Sequence, residues 1–328
     1  MTGRRRAWIA SIVIAGLAMI AGLALCFAST LGIERLPLVA GLIGPRNAVT
    51  MAAAVVCAIA AVGAIVWRRA RPVAASAAVA LAVCVAASGA VLWSRATPDE
   101  PPAPPGASDL RVLSWNTNGD LVDPAIVAAA ASRAHANVVV LPEIVPSRLD
   151  AYASALTAVG LRLTPYRVDA SSQVVVFVAD ALGTYRPARP GPHPAKDVVL
   201  APDTAGSPTI VALHAAQPAL TANGDWNADL RWVESECARP DVVAIGDFNA
   251  TVDSLGGSRL GGCEDAASAT GQANIGTWPS AVPVGLGIPL DHALASQGWH
   301  VVRFTVIRDE DASGARHRPI FVEFAASR

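Results

Sequence analysis

Polar side chains of a particular kind stand where the apolar runs of this chain stop. Asn116 follows LRVLSW, Glu143 follows NVVVLP, His214 closes TIVALH, and Asp247 and Asn249 follow DVVAI. Asp291 and His292 open DHALA, and His317 precedes the final run, PIFVEF. Carboxylates and amide carbonyls are the hard oxygen donors that Mg²⁺ prefers, and because Mg²⁺ keeps several waters, one or two protein ligands suffice. Imidazoles give or take protons near neutral pH. Together these groups describe metal-assisted attack of water on a phosphoester. Each also has a plainer reading. Asn116 could cap the turn before Gly119, Glu143 could be a solvated loop acid, GDFN is rich in turn formers, and His214 could be a satisfied strand-end histidine. His292 reads as a neighbour of the site, and His135 and His193 as structural.

The elements that must position these residues follow from the pattern after Leu110, where apolar runs of strand length are separated by helical stretches or turn residues. Strands are expected at Leu110–Trp115, Asn137–Leu141, Gln173–Val178, Asp197–Leu200, Thr209–Leu213, Asp241–Ile245, His292–Ala295, His300–Val306 and Ile320–Phe324, with helices at Pro124–His135 and Asp229–Ala238. Many strands with few helices predict an α/β domain of two packed sheets with helices on the outer faces.

SWNTNG, LPEI, GDFNA, LDHALAS and RHRPI resemble, in the same order, the signature blocks of the endonuclease/exonuclease/phosphatase superfamily, whose members include deoxyribonuclease I. GTWPSAVPVGLGIPLDHALAS, with HAAQP and Asp225-Trp226, looks most like a bacterial membrane-anchored branch. The resemblance covers Leu110 to about Phe324 and implies a four-layer α/β sandwich of two mixed sheets. It implies Glu143 as principal Mg²⁺ ligand assisted by Asn116, with Mn²⁺ as an alternative metal. Asp247 and Asn249 would orient water and bond the phosphate. His317 would contact the phosphoryl oxygen with Asp291 fixing its tautomer, His214 would line the phosphate pocket, and Trp278 would wall the site. One position departs from the pattern: Arg316 stands where the family usually has an acid before the last histidine. Asp309, Glu310 or Asp311 could substitute from the same loop, or Arg316 could clamp a substrate phosphate through its planar fork. That departure also keeps open a non-catalytic phosphate-binding or sensor module on the same fold.

Composition sets the context. With 53% hydrophobic residues in 328 and a mean hydropathy of +0.42, the chain is too apolar for an ordinary soluble protein. The excess lies in three uncharged runs, Ala7–Ala28, Ala48–Trp67 and Val73–Trp93. Each suits a helix of about 20 residues crossing a bilayer. Trp8, Trp67 and Trp93 mark span ends, where indole prefers the interface. The first run is longer than the about 7–15 apolar residues of a signal peptide, and two more spans follow it. None contains an internal charge, which argues against a transport path through them. Arg4–Arg6 and Arg68, Arg69 and Arg71 place both basic clusters on the cytoplasmic side, so that everything after Trp93 is expected outside the cytoplasm.

The sequence thus divides into a membrane part over 1–96, a stiff Pro-rich spacer over 97–108 (TPDEPPAPPG and its flank) and a globular part over 109–328. Spacer and globular part together, Thr97–Arg328, carry sixteen basic and twenty-five acidic residues, which weakens a duplex-binding role without excluding a local basic patch. Expected partners are the bilayer and a phosphate ester: a lipid head group, nucleic acid or small phosphate ester. Cys26, Cys57 and Cys84 lie in the apolar runs and read as small fillers. Cys237 and Cys263 leave one disulfide open, which would suit an oxidising compartment.

Overall fold

The computed structural model describes residues 3–97, 110–119 and 121–327. Beyond Thr97, the expected Pro-rich spacer lies outside the described residues. Three long helices, α1 (Gly3–Cys26), α4 (Arg46–Val66) and α5 (Arg71–Arg95), are long and apolar enough to cross a membrane. Side chains such as Ile14, Ile59 and Val79 point outward from them, as in a helix whose solvent is hydrocarbon. α5 packs on both α1 and α4, and Thr50 and Ser88 share a 2.6 Å hydrogen bond between α4 and α5. Two short helices, α2 (Ala28–Leu31) and α3 (Pro37–Ile43), fill the connection between the first two spans.

That connection is bonded to the globular part. Arg46 Nε and Nη2 each donate at 2.9 Å to the two carboxylate oxygens of Asp253, and Arg95 pairs with the same carboxylate. Ser29 Oγ donates to the Asp253 carbonyl at 2.7 Å and Arg35 Nε to the Ser254 carbonyl at 3.1 Å. Asp253 and Arg46 are both buried, and Arg95 stays on the carboxylate if Arg46 is lost, so it is removal of the shared carboxylate that strands charge. Asp253→Ala, which leaves Arg46 and Arg95 without a counter-charge, is expected to destabilise the chain by about 3–5 kcal/mol, read as a lower thermal midpoint of the detergent-solubilised protein.

The globular part contains two mixed sheets. The first orders its six strands β12-β13-β1-β2-β4-β3, with β1 at Leu110–Ser114, β2 at Val138–Leu141, β3 at Leu163–Tyr166, β4 at Val175–Ala179, β12 at Trp299–Val306 and β13 at Ile320–Ala326. The second orders its seven strands β5-β6-β7-β8-β11-β10-β9. These are β5 (Tyr185–Pro190), β6 (Asp197–Pro202), β7 (Thr209–His214), β8 (Val242–Asp247), β9 (Arg259–Leu260), β10 (Cys263–Asp265) and β11 (Asp291–Ala295). Side chains alternate across each strand, and both faces are apolar. Val112, Val138, Val140 and Val176 face Ile210, Ala212, Val243 and Ile245 between the sheets. Leu113, Val139, Leu141 and Phe177 turn outward beneath α6 (Pro124–Arg133) and α7 (Leu149–Ala158). Val211, Leu213 and Ala244 turn outward beneath α8 (Gly224–Cys237). A one-turn helix, α9 (Ala266–Ala269), follows β10. Helix, sheet, sheet and helix make the four layers expected.

Each expected strand is present within a few residues. Helix α8 starts at Gly224, five positions before the expected Asp229, since Trp226 and Asp229 are buried beside Leu230 and Val233. The elements not anticipated carry weak patterns. β5 reads YRPARP and is mostly exposed, β9 has two residues, and α7 buries only Tyr152 and Leu156.

Cys237 and Cys263 are joined by a disulfide that ties the end of α8 to β10 across 26 residues. A loop of that length restricts the unfolded chain by about 3.5 kcal/mol. Cys237→Ser/Cys263→Ser is therefore expected to lose roughly that stability in denaturant unfolding, with the same shift for the reduced wild-type chain.

Candidate active site

The site grows from two parallel strand pairs. β1 pairs with β2 in one sheet and β7 with β8 in the other, each in parallel register, so their C-terminal ends deliver side chains to one edge of the sandwich. Asn116 leaves β1, Glu143 leaves β2, and His214 and Asp247 are register partners on β7 and β8. The antiparallel neighbour β11 puts Asp291 opposite Asp247. His317 lies just before β13 and is held by Trp115, whose indole N–H donates to the His317 carbonyl at 2.9 Å.

Within GDFNA, Gly246 adopts a φ of +146°, and a Cβ there would stand 2.1 Å from the Leu213 carbonyl oxygen. Only glycine lets β7 and β8 approach so closely at the point where Asp247 emerges. Glu143 (φ 59°), Asn249 (φ 46°) and Asn118 (φ 50°) all sit in the left-handed region. This conformation is uncommon and costly for residues with a Cβ, and the surrounding contacts must hold it.

Asp247 Oδ2 is the hub. It accepts from Asn116 Nδ2 at 2.9 Å, and His317 Nε2 and His214 Nε2 face it at 3.6 and 3.7 Å. Its other oxygen accepts the Asn249 N–H at 2.9 Å, while Asn249 Nδ2 donates to the Ala215 carbonyl. Glu143 Oε2 lies 3.9 Å from His214 Nε2 and keeps 36% of its side chain open to solvent. His317 Nδ1–H donates to Asp291 Oδ2 at 2.9 Å; the other Asp291 oxygen is buried and has no hydrogen-bond partner among the described residues.

Electrostatics follow from this crowding. Burial alone would lower the His317 pKa, but the Asp291 and Asp247 carboxylates outweigh it and push the imidazole up to about 9. Burial raises Asp247, opposed by His317 and reinforced by Asp291. At neutral pH the site therefore holds a protonated His317 imidazole beside the buried Asp291 and Asp247 side chains.

Asn116, Glu143, His214, Asp247, Asn249, Asp291 and His317 come together, and Trp278 lines the adjoining cleft with Asn249 and His317. Arg316 instead is exposed and outside that lining. Of the acids considered as substitutes for the missing one, Glu310 pairs with Arg133 and Asp311 with Arg318. Arg318, not anticipated as important, is buried and spreads its guanidinium over Asp311 and the carbonyls of Gly276, Pro279, Ser280 and Val282. It fixes the loop carrying Trp278.

His292 is fully buried between Asp265 (2.7 Å) and the Ala250 carbonyl (3.0 Å), a supporting position under GDFNA. Burial would lower its pKa, yet Asp265 raises it overall. His193 is held by Asp229 at 2.7 Å, and Asp229 also accepts the Ala216 N–H, so the pair anchors the loop that leaves His214. Two contributors had escaped notice. Asn118 points its amide at Glu143 (3.5 Å), and Thr277 Oγ1 accepts the Leu290 and Asp291 N–H groups. Both lie inside the matched blocks SWNTNG and GTWP, which was the available signal.

Residues that could hold a divalent ion are the hard oxygens of Glu143, Asp247 and Asn116. The buried trio Asp247, Asp291 and His317 also brings one ligand atom from each within 4.8 Å of the others.

The sequence model of the Endonuclease/Exonuclease/phosphatase family matches residues 113–322. The chain belongs to that family. Among solved structures, a humanized TDP2 of D. rerio covers 66% of this chain over 98% of its own, at 15% identity and a TM-score of 0.50. The mannosyl-6-phosphatase Bt3783 of Bacteroides thetaiotaomicron covers 66% over 100% of its own, at 14% identity and 0.49. An endonuclease/exonuclease/phosphatase of Beutenbergia cavernae covers 67% over 72% of its own, at 18% and 0.47. No curated protein matches the sequence. At 15% identity the TDP2 structure speaks for the fold alone, and the family for phosphoester chemistry.

Proposed function

We propose that the chain is a divalent-metal-dependent phosphoesterase held in a membrane with its globular part outside the cytoplasm. The convergence of Glu143, Asp247, Asn249, Asp291 and His317 on one edge of the sandwich carries this reading. The fit of a hard cation is supported by the carboxylate-rich donor set and by the buried, unpartnered Asp291 oxygen. Glu143 is the ligand best placed to receive a hydrated ion, because it is open to solvent where the buried trio is not. When bound, such an ion polarises the phosphoryl group and offsets the charge that develops on it.

The protein's own groups do the rest. Asp247 orients the water that attacks phosphorus in line, and Asn249 holds a phosphate oxygen. His317, protonated and steadied by Asp291, stabilises charge on a phosphoryl oxygen. His214 completes that wall.

Orientation is supported by the basic clusters flanking the spans and by the Cys237–Cys263 disulfide, which suits an oxidising compartment. The test is hydrolysis of bis-p-nitrophenyl phosphate and plasmid DNA by the detergent-solubilised full chain with Mg²⁺, Mn²⁺ or EDTA. Metal-dependent turnover abolished by EDTA is expected. Binding of phosphodiester without turnover under every metal would leave a non-catalytic module, the reading that Arg316 favours.

A further inference from the structure

The cleft beside His317 has two walls of opposite chemistry. On one side stand Asn249, His317 and Trp278; on the other stand Gly41, Gly44 and Pro45 from the connection between the first two spans, in a cavity of about 230 Å³. That second wall is fixed in place, since the flanking residues Ser29, Arg35 and Arg46 are bonded to Asp253 and Ser254. It is also wholly uncharged from Leu36 to Gly44. Leu36, Leu38 and Leu42 are exposed along it, and on the globular side Leu220, 69% exposed, extends toward Gly41.

This apolar rim continues directly into α1 and α4, so a bilayer around the spans would meet the cleft at the level of its head groups. The cations closest to the cleft do not reach into it as a polyanion would require: Arg46 and Arg95 are both consumed by Asp253, and Arg316 is exposed and outside the cleft lining. A ligand that satisfies both walls carries a phosphate next to an alkyl chain. We infer that the substrate is a phosphate ester of a membrane lipid, presented from the bilayer, with its phosphate at His317 and Asn249 and the first segment of its chain against the wall of α3 and Leu220. This inference rests on the phosphoesterase reading. In the reaction a water oxygen forms the new P–O bond, the P–O bond to one ester oxygen breaks, and the departing oxygen takes up the proton released by the water.

The test uses the full chain in digalactosyldiacylglycerol vesicles, whose head groups carry no phosphate, with Mg²⁺ and two chromogenic diesters, p-nitrophenyl ethyl phosphate and p-nitrophenyl hexadecyl phosphate. At saturating surface concentration the hexadecyl ester is expected to turn over at least about tenfold faster than the ethyl ester, the effect of seating roughly two methylene groups more favourably in the transition state. Leu220→Asp and Gly41→Leu, which charge the rim and fill the cleft, are expected to collapse that ratio toward unity. A ratio near unity in the wild type, a ratio unmoved by both variants, or faster nicking of plasmid DNA than hydrolysis of the hexadecyl ester overturns the lipid assignment and leaves the phosphoesterase reading standing. Hydrolysis of neither ester, nor of bis-p-nitrophenyl phosphate, overturns both.

Discussion

Replacing His317 by alanine is expected to lower turnover of a phosphodiester by about 10²–10⁴-fold, with a smaller change in KM, because in the proposed mechanism the group acts on charge that appears only in the transition state. The same residue should reveal itself without turnover. In the metal-free protein its imidazole protons should titrate near pH 9, and Asp291→Asn should move the midpoint downward by removing the nearer carboxylate. The sign of the linked stability change follows. A raised folded-state pKa contributes stability that is fully present below the unfolded value of about 6.5 and is lost as pH rises through about 9. The metal-free chain should therefore become easier to unfold across that interval, and His317→Ala should flatten the dependence. A midpoint near 6.5 in the wild type would contradict the arrangement of Asp291 and Asp247 around the ring.

Glu143→Gln should be nearly as damaging to catalysis, about 10²–10³-fold, while costing little stability. The side chain is partly open to solvent, and glutamine preserves its shape and its strained backbone. Its effect should appear in calorimetric titration of Mg²⁺ or Mn²⁺ as weakened binding, and raising the metal concentration should restore part of the rate. If instead metal affinity were unchanged in Glu143→Gln and lost in Asp291→Asn, the ion would belong to the buried trio.

Much of this site was legible in the sequence because its residues sit at strand ends, where runs such as NVVVL and DVVAI stop at a polar residue. Parallel pairing then decides which ends meet; the resemblance implied the partnership of Asp291 with His317, whereas the register that sets Asp291 opposite Asp247 belongs to the fold. Three things stayed hidden for physical reasons. Asn118 and Thr277 act through side-chain hydrogen bonds whose partners are fixed only when the loops fold. Arg318 looks like any basic residue until its loop is folded around it. The contact of Arg46 and Arg95 with Asp253 joins residues more than 150 positions apart, and nothing in two arginines at the ends of apolar runs distinguishes a structural partner from a membrane-surface charge. Edge strands such as YRPARP were also illegible, since a strand with little buried surface leaves little periodicity.

The arginines on Asp253 bear on how far this chain can be taken apart. A globular fragment attached to some other anchor would remain near a membrane, yet it would lack Arg46, Arg95 and the wall of α3. The carboxylate that they neutralise would be left as a lone charge four residues beyond Asn249. On the proposed reading, anchor and catalyst are therefore not interchangeable modules: the helices would form one side of the vessel in which the reaction occurs, and a transplanted tether would reproduce the address without the enzyme.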